Sequence, residues 1–388
     1  MSHPFQLIAG NALLRTREDP VNPVWDHDLN VVLPTQDMQH AAITMHHWPD
    51  YRPTPLYSLP AMASTLQLGQ LWVKDESQRF GQGGVKALGA PYGLLTLLGE
   101  ALLLPPELIA NGQAHDRCAA YTAIAATDGN HGLALAWAAK RFGCAAHIVL
   151  GQAVDEGRIQ RIRDCGAVVE VIPGTYDDAV LLAEQRSRKD HHTLLITDTD
   201  YHGGLPVTRA IMAGYSVLAQ EMAESLHLTP PTHVFLHCGV GGLAAAVAAG
   251  LWHVLDHAPN VITVEPTRAA CLFASLAHGQ IMQVPGDLST RMIGLSCGLP
   301  SQPAWQILRR CASGAVTVSD ELSLQVQHTL ARGIGSDPRI LSGDTGVAGL
   351  TGLWLAAQNP LLQQAFELNE NSRVLVISSE GPQPGQVI

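Results

Sequence analysis

Residues 118–142 read CAAYTAIAATDGNHGLALAWAAKRF. The first part, 118–126, is small and apolar and predicts a buried strand. Asp128, Gly129, Asn130, His131 and Gly132 form a turn. Apolar residues then recur at helical spacing over 133–142, and Gly143 ends the run. Strand, tight turn and helix together are one half of an α/β unit. The pattern repeats outward. Strands are expected at 145–150, 167–172 and 193–197, with helices at 155–164 and 176–189 between them. Upstream, 71–74 predicts a strand ending at Asp75, Glu76 and Ser77. A flexible turn follows at 81–84, then a buried helix from Val85 that carries Ala87, Leu88, Tyr92, Leu94, Leu95 and Leu98. Pro91 sits either in the first turn of that helix or at a kink. Downstream, helices at 206–226, 243–255, 303–311, 320–332 and 345–358 alternate with strands at 233–236, 261–264 and 373–378, and 290–298 is a loop or short extended piece. Residues 1–50, rich in His, Asn, Asp and Pro, look like an arm or a few short elements. Short apolar strands alternating with helices of ten or more residues predict mainly parallel sheets. Two such α/β units facing each other would bind a ligand beyond the carboxyl ends of their strands.

The chain has 388 residues, enough for two ordinary domains. With 46% hydrophobic and 15% charged residues it is neither a disordered acidic chain nor a long coiled coil. Aromatics are only 5%, so the core must be aliphatic and alanine-rich. The net charge is −11, and no dense Lys/Arg run exists; nothing resembles a nucleic-acid footprint. The basic stretches 158–163 and 186–189 are short and mixed, as solvated faces or turns are. Seven scattered cysteines without a CxxC pair fit reduced thiols in the cytoplasm. No basic-then-apolar leader opens the sequence, and the small-apolar run 239–252 is too short to span a bilayer.

Four places carry chemistry-bearing residues. Cys238, Gly239, Val240, Gly241 and Gly242 lie between a strand and a helix, where bare backbone N–H groups can cradle a phosphate. The alternative is a tight structural turn, since neither GxGxxG nor a Walker lysine is present. Lys86 follows Gly81, Gly83 and Gly84 and opens a nearly uncharged helix. A buried amine there is a candidate nucleophile for an aldehyde, the alternative being a lysine that snorkels at the sheet edge. Asp128 and Asn130 share one strand–helix turn, and Asp198 heads a second, 198–204. Each aspartate is either a base or a helix cap. His46-His47 and His191-His192 lack metal-site spacing, and no HExxH or paired-cysteine site occurs, so no metal is expected. There is no G-x-S-x-G elbow. Most of the 18 histidines look like surface or ordinary polar residues.

These motifs, in this order, resemble the fold-type II pyridoxal-phosphate enzymes of the tryptophan synthase β-like superfamily, and within them the diaminopropionate ammonia-lyase family. The resemblance rests on GVKALG at 84–89, TDGNHG at 127–132 followed by AWAA at 136–139, and Asp198-Thr199. It continues through IMAGY at 211–215, Gly239-Val240-Gly241, Val264-Glu265-Pro266 and GLSCGLP at 294–300, covering roughly residues 50–381. It implies two open α/β domains with mainly parallel sheets and a cofactor cleft between them. Residues 1–87 and 191–388 would form the larger, cofactor-binding domain and 88–190 a smaller, mobile one. It also implies that Lys86 holds the aldehyde of pyridoxal 5'-phosphate and that Asn130 bonds the ring-hydroxyl side. Gly239, Val240, Gly241 and Gly242 would cradle the phosphate. Ser378 or Ser379 would supply a hydroxyl near the ring nitrogen. Asp128 would remove the α-proton of one substrate enantiomer and Lys86 that of the other, with Asp198 near the substrate amino groups. The implied reaction is α,β-elimination of 2,3-diaminopropionate to pyruvate and ammonia, by a cytoplasmic homodimer.

Three departures lie near the cleft. The family's Gly-Glu-Ser-Gly is Gly343-Asp344-Thr345-Gly346 here. Asp-Thr-Asp after Glu380-Gly381 is replaced by Pro382-Gln383-Pro384. Val85 stands before the lysine where an aromatic residue is usual. They leave open a serine/threonine dehydratase-like or other amino-acid lyase, and a catalytically inactive relative that binds a metabolite or a protein. Two aspartates favour the diamino substrate, because an ammonium leaving group is stabilised by anions.

Overall fold

The computed structural model describes residues 4–16, 21, 25–127, 129–152, 154, 156–174, 176–383 and 386. Among these residues, twelve strands make two sheets. They are β1 (Phe5–Ala9), β2 (Ala12–Arg15), β3 (Leu56–Ser58), β4 (Gln70–Asp75), β5 (Thr122–Ala126), β6 (Ala145–Gly151), β7 (Val168–Ile172), β8 (Thr193–Leu195), β9 (His233–His237), β10 (Asn260–Pro266), β11 (Ala312–Val318) and β12 (Arg373–Ser378). The larger sheet has the order β1-β2-β11-β10-β9-β12-β4-β3. Its five central strands, β11 to β4, are parallel; β2 and β3 flank them antiparallel, and β1 pairs with β2. The smaller sheet, β7-β6-β5-β8, is parallel throughout. The central strands are apolar on both faces, as a sheet covered by helices requires: β9 is buried at every residue.

Local differences from the sequence reading have physical reasons. The strand expected over 118–126 begins only at Thr122, because His115–Cys118 forms a helical turn and Tyr121 N–H bonds back to the Cys118 carbonyl. The next helix starts at Asn130, not 133, so Asn130, His131 and Gly132 form its first turn. Of the two readings for Pro91, the first turn of the helix is excluded. The proline is the sixth residue of Lys86–Leu102, which leaves the Ala87 carbonyl without its usual helical donor. The strand β11 and the β1–β2 pair are additions to the expected set. Three histidines, His131, His233 and His237, are buried rather than exposed.

Two contacts aim the chain at the cleft. The helix Lys86–Leu102 crosses Pro206–Leu226 at a distance only glycine permits. A Cβ on Gly89 would lie 2.5 Å from the Tyr215 ring, and one on Gly214 2.5 Å from the Leu88 carbonyl oxygen. Tyr215 is thereby wedged beneath the first turn of the Lys86 helix. The second is a buried charge cluster at the end of β4. Glu221 on the long helix accepts from Lys74 Nζ at 2.5 Å and from Arg79 Nη1 at 2.8 Å. Arg79 Nε also donates to Glu76 Oε2 at 2.8 Å. All four side chains are essentially inaccessible and their charges balance, which offsets the desolvation each one suffers. The cluster fixes the loop that leads from β4 to Lys86.

Candidate active site

Lys86 opens its helix with Nζ 2.6 Å from Asp198 Oδ2 and 5.6 Å from the centroid of the Tyr215 ring. The pair lies at a cleft rather than in the core, with the lysine side chain 29% exposed and the aspartate 17%. Burial alone pushes the ammonium toward losing its proton. The Asp198 charge outweighs that and holds Lys86 above its ordinary range. Burial likewise favours a neutral Asp198, but Lys86 and then His131 hold its carboxyl well below the usual range. Of the two aspartates in the 198–204 turn, Asp200 is the one that shapes the backbone. It accepts from His202, Gly203 and Leu205 N–H at 2.7 to 3.1 Å. Asp198 is left to face the amine.

His131, one residue into the helix Asn130–Phe142, donates through Nε2 to the Ile196 carbonyl at 2.8 Å. Its Nδ1 is buried without a hydrogen-bond partner, 3.8 Å from Asp198 Oδ2. Burial, partly countered by Asp198, lowers its pKa. Asn130 donates from Nδ2 to Glu380, whose other oxygen accepts Thr345 N–H at 3.2 Å. Burial raises the Glu380 pKa against those bonds. Thr345 belongs to the departing Gly343–Gly346 segment, so that segment is in direct contact with this carboxylate. Residues 379–381 are also laced to the lysine loop. Val85 N–H bonds the Ser379 carbonyl at 2.8 Å, and Gly381 N–H the Gly83 carbonyl at 3.0 Å.

The glycine turn joins β9 to the helix Gly242–Val254, with Gly241 at φ +94°. Gly239 packs so tightly that a Cβ would sit 3.0 Å from Cys297 Sγ and from the Gly294 carbonyl. Toward the cleft there is room: a Cβ on Gly242 would meet nothing closer than the Asp198 carbonyl oxygen at 3.8 Å. That places the turn beside the partner of Lys86. The backbone N–H groups of Gly239, Val240, Gly241, Gly242 and Leu243 donate to no protein group among the described residues. Successive unpaired donors at the N-terminus of a thirteen-residue helix suit a phosphate dianion.

Ser378 and Ser379, adjacent at the end of β12, point to different partners. Ser378 Oγ donates to Ser342 Oγ at 2.9 Å, whereas Ser379 Oγ lies 2.8 Å from His237 Nε2. Asp128 lies outside the described residues. Lys86, Asp198, Asn130, Ser379 and the glycine turn are thus linked through these contacts, whereas Ser378 is bonded to Ser342. Sequence reasoning missed His131, Tyr215, His237 and Glu380. Each was within or next to a quoted motif; His237 and Glu380 adjoin glycine-bearing turns, whereas Tyr215 lies inside the helix Pro206–Leu226 and carries no such signal.

A lysine at a helix start, two open, mainly parallel sheets and an anion cradle at a strand–helix turn define a fold-type II pyridoxal-phosphate enzyme. The glycine cradle and the lysine amine fit the phosphate and the aldehyde of that cofactor. The chain belongs to the pyridoxal-phosphate dependent enzyme family, whose model matches residues 47–380, and within it to the diaminopropionate ammonia-lyases. It is 37% identical over 338 residues to the diaminopropionate ammonia-lyase of Escherichia coli K12, covering 85% of each chain. To that of Salmonella typhimurium it is 33% identical over 365 residues, covering 88% of each. The crystal structure of the Escherichia coli enzyme in complex with an aminoacrylate-PLP azomethine reaction intermediate superposes with a TM-score of 0.83. The identity is 33%, covering 94% of this chain and 91% of that one. Among the described residues no helix is long and apolar enough to cross a membrane.

Proposed function

We propose that this chain converts 2,3-diaminopropionate and water to pyruvate and two molecules of ammonia. The observation that carries the reading is the Lys86–Asp198 pair beside the glycine turn: an amine able to hold an aldehyde, an anion for a substrate ammonium, and a phosphate cradle in one cleft. Bound pyridoxal phosphate supplies the electron-accepting ring that makes the α-hydrogen of an attached amino acid acidic. The chain's own groups do the rest. Gly239, Val240, Gly241 and Gly242 would fix the phosphate through backbone N–H groups, at no cost in counter-charge. Asn130, steadied by Glu380, would orient the ring-hydroxyl side. Lys86 would hold the aldehyde carbon, and once displaced its neutral amine would take the α-proton of one enantiomer. Asp128 would serve the other enantiomer. Asp198, freed from Lys86 at that stage, would hold the β-ammonium electrostatically until it departs.

The segment 88–190, which contains three of the four strands of the smaller sheet and leaves out β8, would act as the smaller moving domain against 1–87 and 191–388. The assembly would be a cytoplasmic homodimer, giving twice the 41.4 kDa chain mass by light scattering. Purified protein given pyridoxal phosphate should show a visible absorbance band that Lys86→Ala abolishes. It should release ammonia and pyruvate from 2,3-diaminopropionate, with far weaker turnover of serine. The reverse preference would defeat the named substrate while keeping the cofactor. Asp128→Asn should slow one enantiomer more than the other; equal losses would reject the assignment of that base.

A further inference from the structure

His237 closes β9 one residue before the glycine turn, and Ser379 follows β12, the neighbouring strand. Their side chains meet at 2.8 Å through Nε2 and Oγ, and both residues are buried. The other imidazole nitrogen, Nδ1, is also buried and has no hydrogen-bond partner. Gly349 packs beside it, where an added Cβ would stand 3.6 Å away. A neutral imidazole carries one proton, on one nitrogen or the other. A buried N–H without an acceptor is rarer and costlier than a buried lone pair without a donor. The proton therefore sits on Nε2 and points at Ser379. The ring stays neutral, because burial and then the nearby Lys86 charge push its pKa down to about 4.

Ser379 accepts that proton as a hydrogen bond, so its own hydroxyl proton must point elsewhere. No acceptor among the described residues takes it. We propose that His237 is a positioning residue that turns the Ser379 hydroxyl into a donor aimed at the cofactor's ring nitrogen, so that this nitrogen is held unprotonated. The inference rests on the pyridoxal-phosphate reading of the cleft. It selects Ser379 over Ser378, whose hydroxyl proton is already given to Ser342. The opposite tautomer would have the opposite effect. Ser379 would donate to Nε2 and show the ring only lone pairs, and a ring nitrogen placed there would have to carry a proton. A neutral ring is the weaker electron acceptor. Elimination would then lean on how well the leaving ammonium is held, which is the task proposed for Asp198.

Nitrogen-15 NMR of histidine-labelled, cofactor-free protein tests the first half. The His237 signals, assigned by their loss in His237→Gln, should show a protonated Nε2 and a bare Nδ1; the reverse pattern overturns the proposal. Protein loaded with cofactor labelled at the ring nitrogen tests the second half. The resonance should be that of an unprotonated, hydrogen-bonded pyridine in the wild type. His237→Gln, whose amide nitrogen reaches where Nε2 stands, should keep that resonance and the pH profile of the visible band. His237→Phe should change both and lower kcat about tenfold, with KM within about twofold. Gln and Phe variants that load cofactor and behave alike would refute the role. A wild-type protein that develops no visible band would instead refute the cofactor reading and leave the tautomer result standing.

Discussion

Lys86 and Asp198 neutralise each other across 2.6 Å, and neither state is what burial alone would choose. The amine must be neutral to attack an aldehyde, so the anion beside it sets the pH at which cofactor attaches. Asp198→Asn removes the influence that raises the lysine pKa and leaves burial to lower it. The midpoint of attachment, followed by visible absorbance against pH, should move down by about one pH unit or more. A midpoint that stays in place would mean that another group controls the lysine. The residues proposed to hold the cofactor were legible as candidates because their motifs are contiguous: GVKALG, TDGNHG and the 239–242 glycines are each one short stretch. His131 and Tyr215 were not. Their relevance comes from Asp198 and from a helix crossing far away in sequence, and a buried histidine has the same letter as an exposed one.

Among elements, the crossing of Lys86–Leu102 with Pro206–Leu226 depends on the absence of side chains at Gly89 and Gly214. Gly214→Ala puts a methyl group against the backbone carbonyl of Leu88, which cannot swing aside. Denaturant unfolding should show a loss of about 1–3 kcal/mol. Unchanged stability would show that the helices part easily. A second element-scale device is Glu265 at the end of β10. Its buried carboxyl group accepts Leu272 N–H at 2.8 Å and Phe273 N–H at 2.6 Å, both in the first turn of the helix Cys271–His278. Burial nevertheless pushes its pKa up to about 8. The folded state thus binds a proton that the unfolded chain releases near pH 4.5, so stability drains as pH rises from there through about 8. Glu265→Gln, whatever its absolute stability, should show a smaller fall in Tm between pH 5 and pH 8 than the wild type. An equal fall would place the titration elsewhere. Most helices and parallel strands were legible from apolar runs bounded by Gly and Pro. The strand β11 was not: ASGAVTV is small and weakly patterned, and it follows Cys311 with no intervening turn residue.

At the scale of the whole molecule, the alternation of strands and helices announced parallel sheets, but not how the larger one is finished. Five parallel strands carry the cleft, and the antiparallel strands around them come from the irregular first sixty residues. Nothing in the His-, Asn- and Pro-rich start marks Phe5–Ala9 and Ala12–Arg15 as a ribbon, because their partner β11 lies some three hundred residues on. That ribbon covers a row of main-chain donors and acceptors on β11 that would otherwise be open to any passing strand. A protein shortened to begin after Arg15 should keep its catalytic cleft yet self-associate, with light scattering that grows with concentration. If it stays dispersed, some other part of the chain shields that flank. Self-association would instead make the opening ribbon, which takes no part in the proposed site, the molecule's guard against sticking to its own copies.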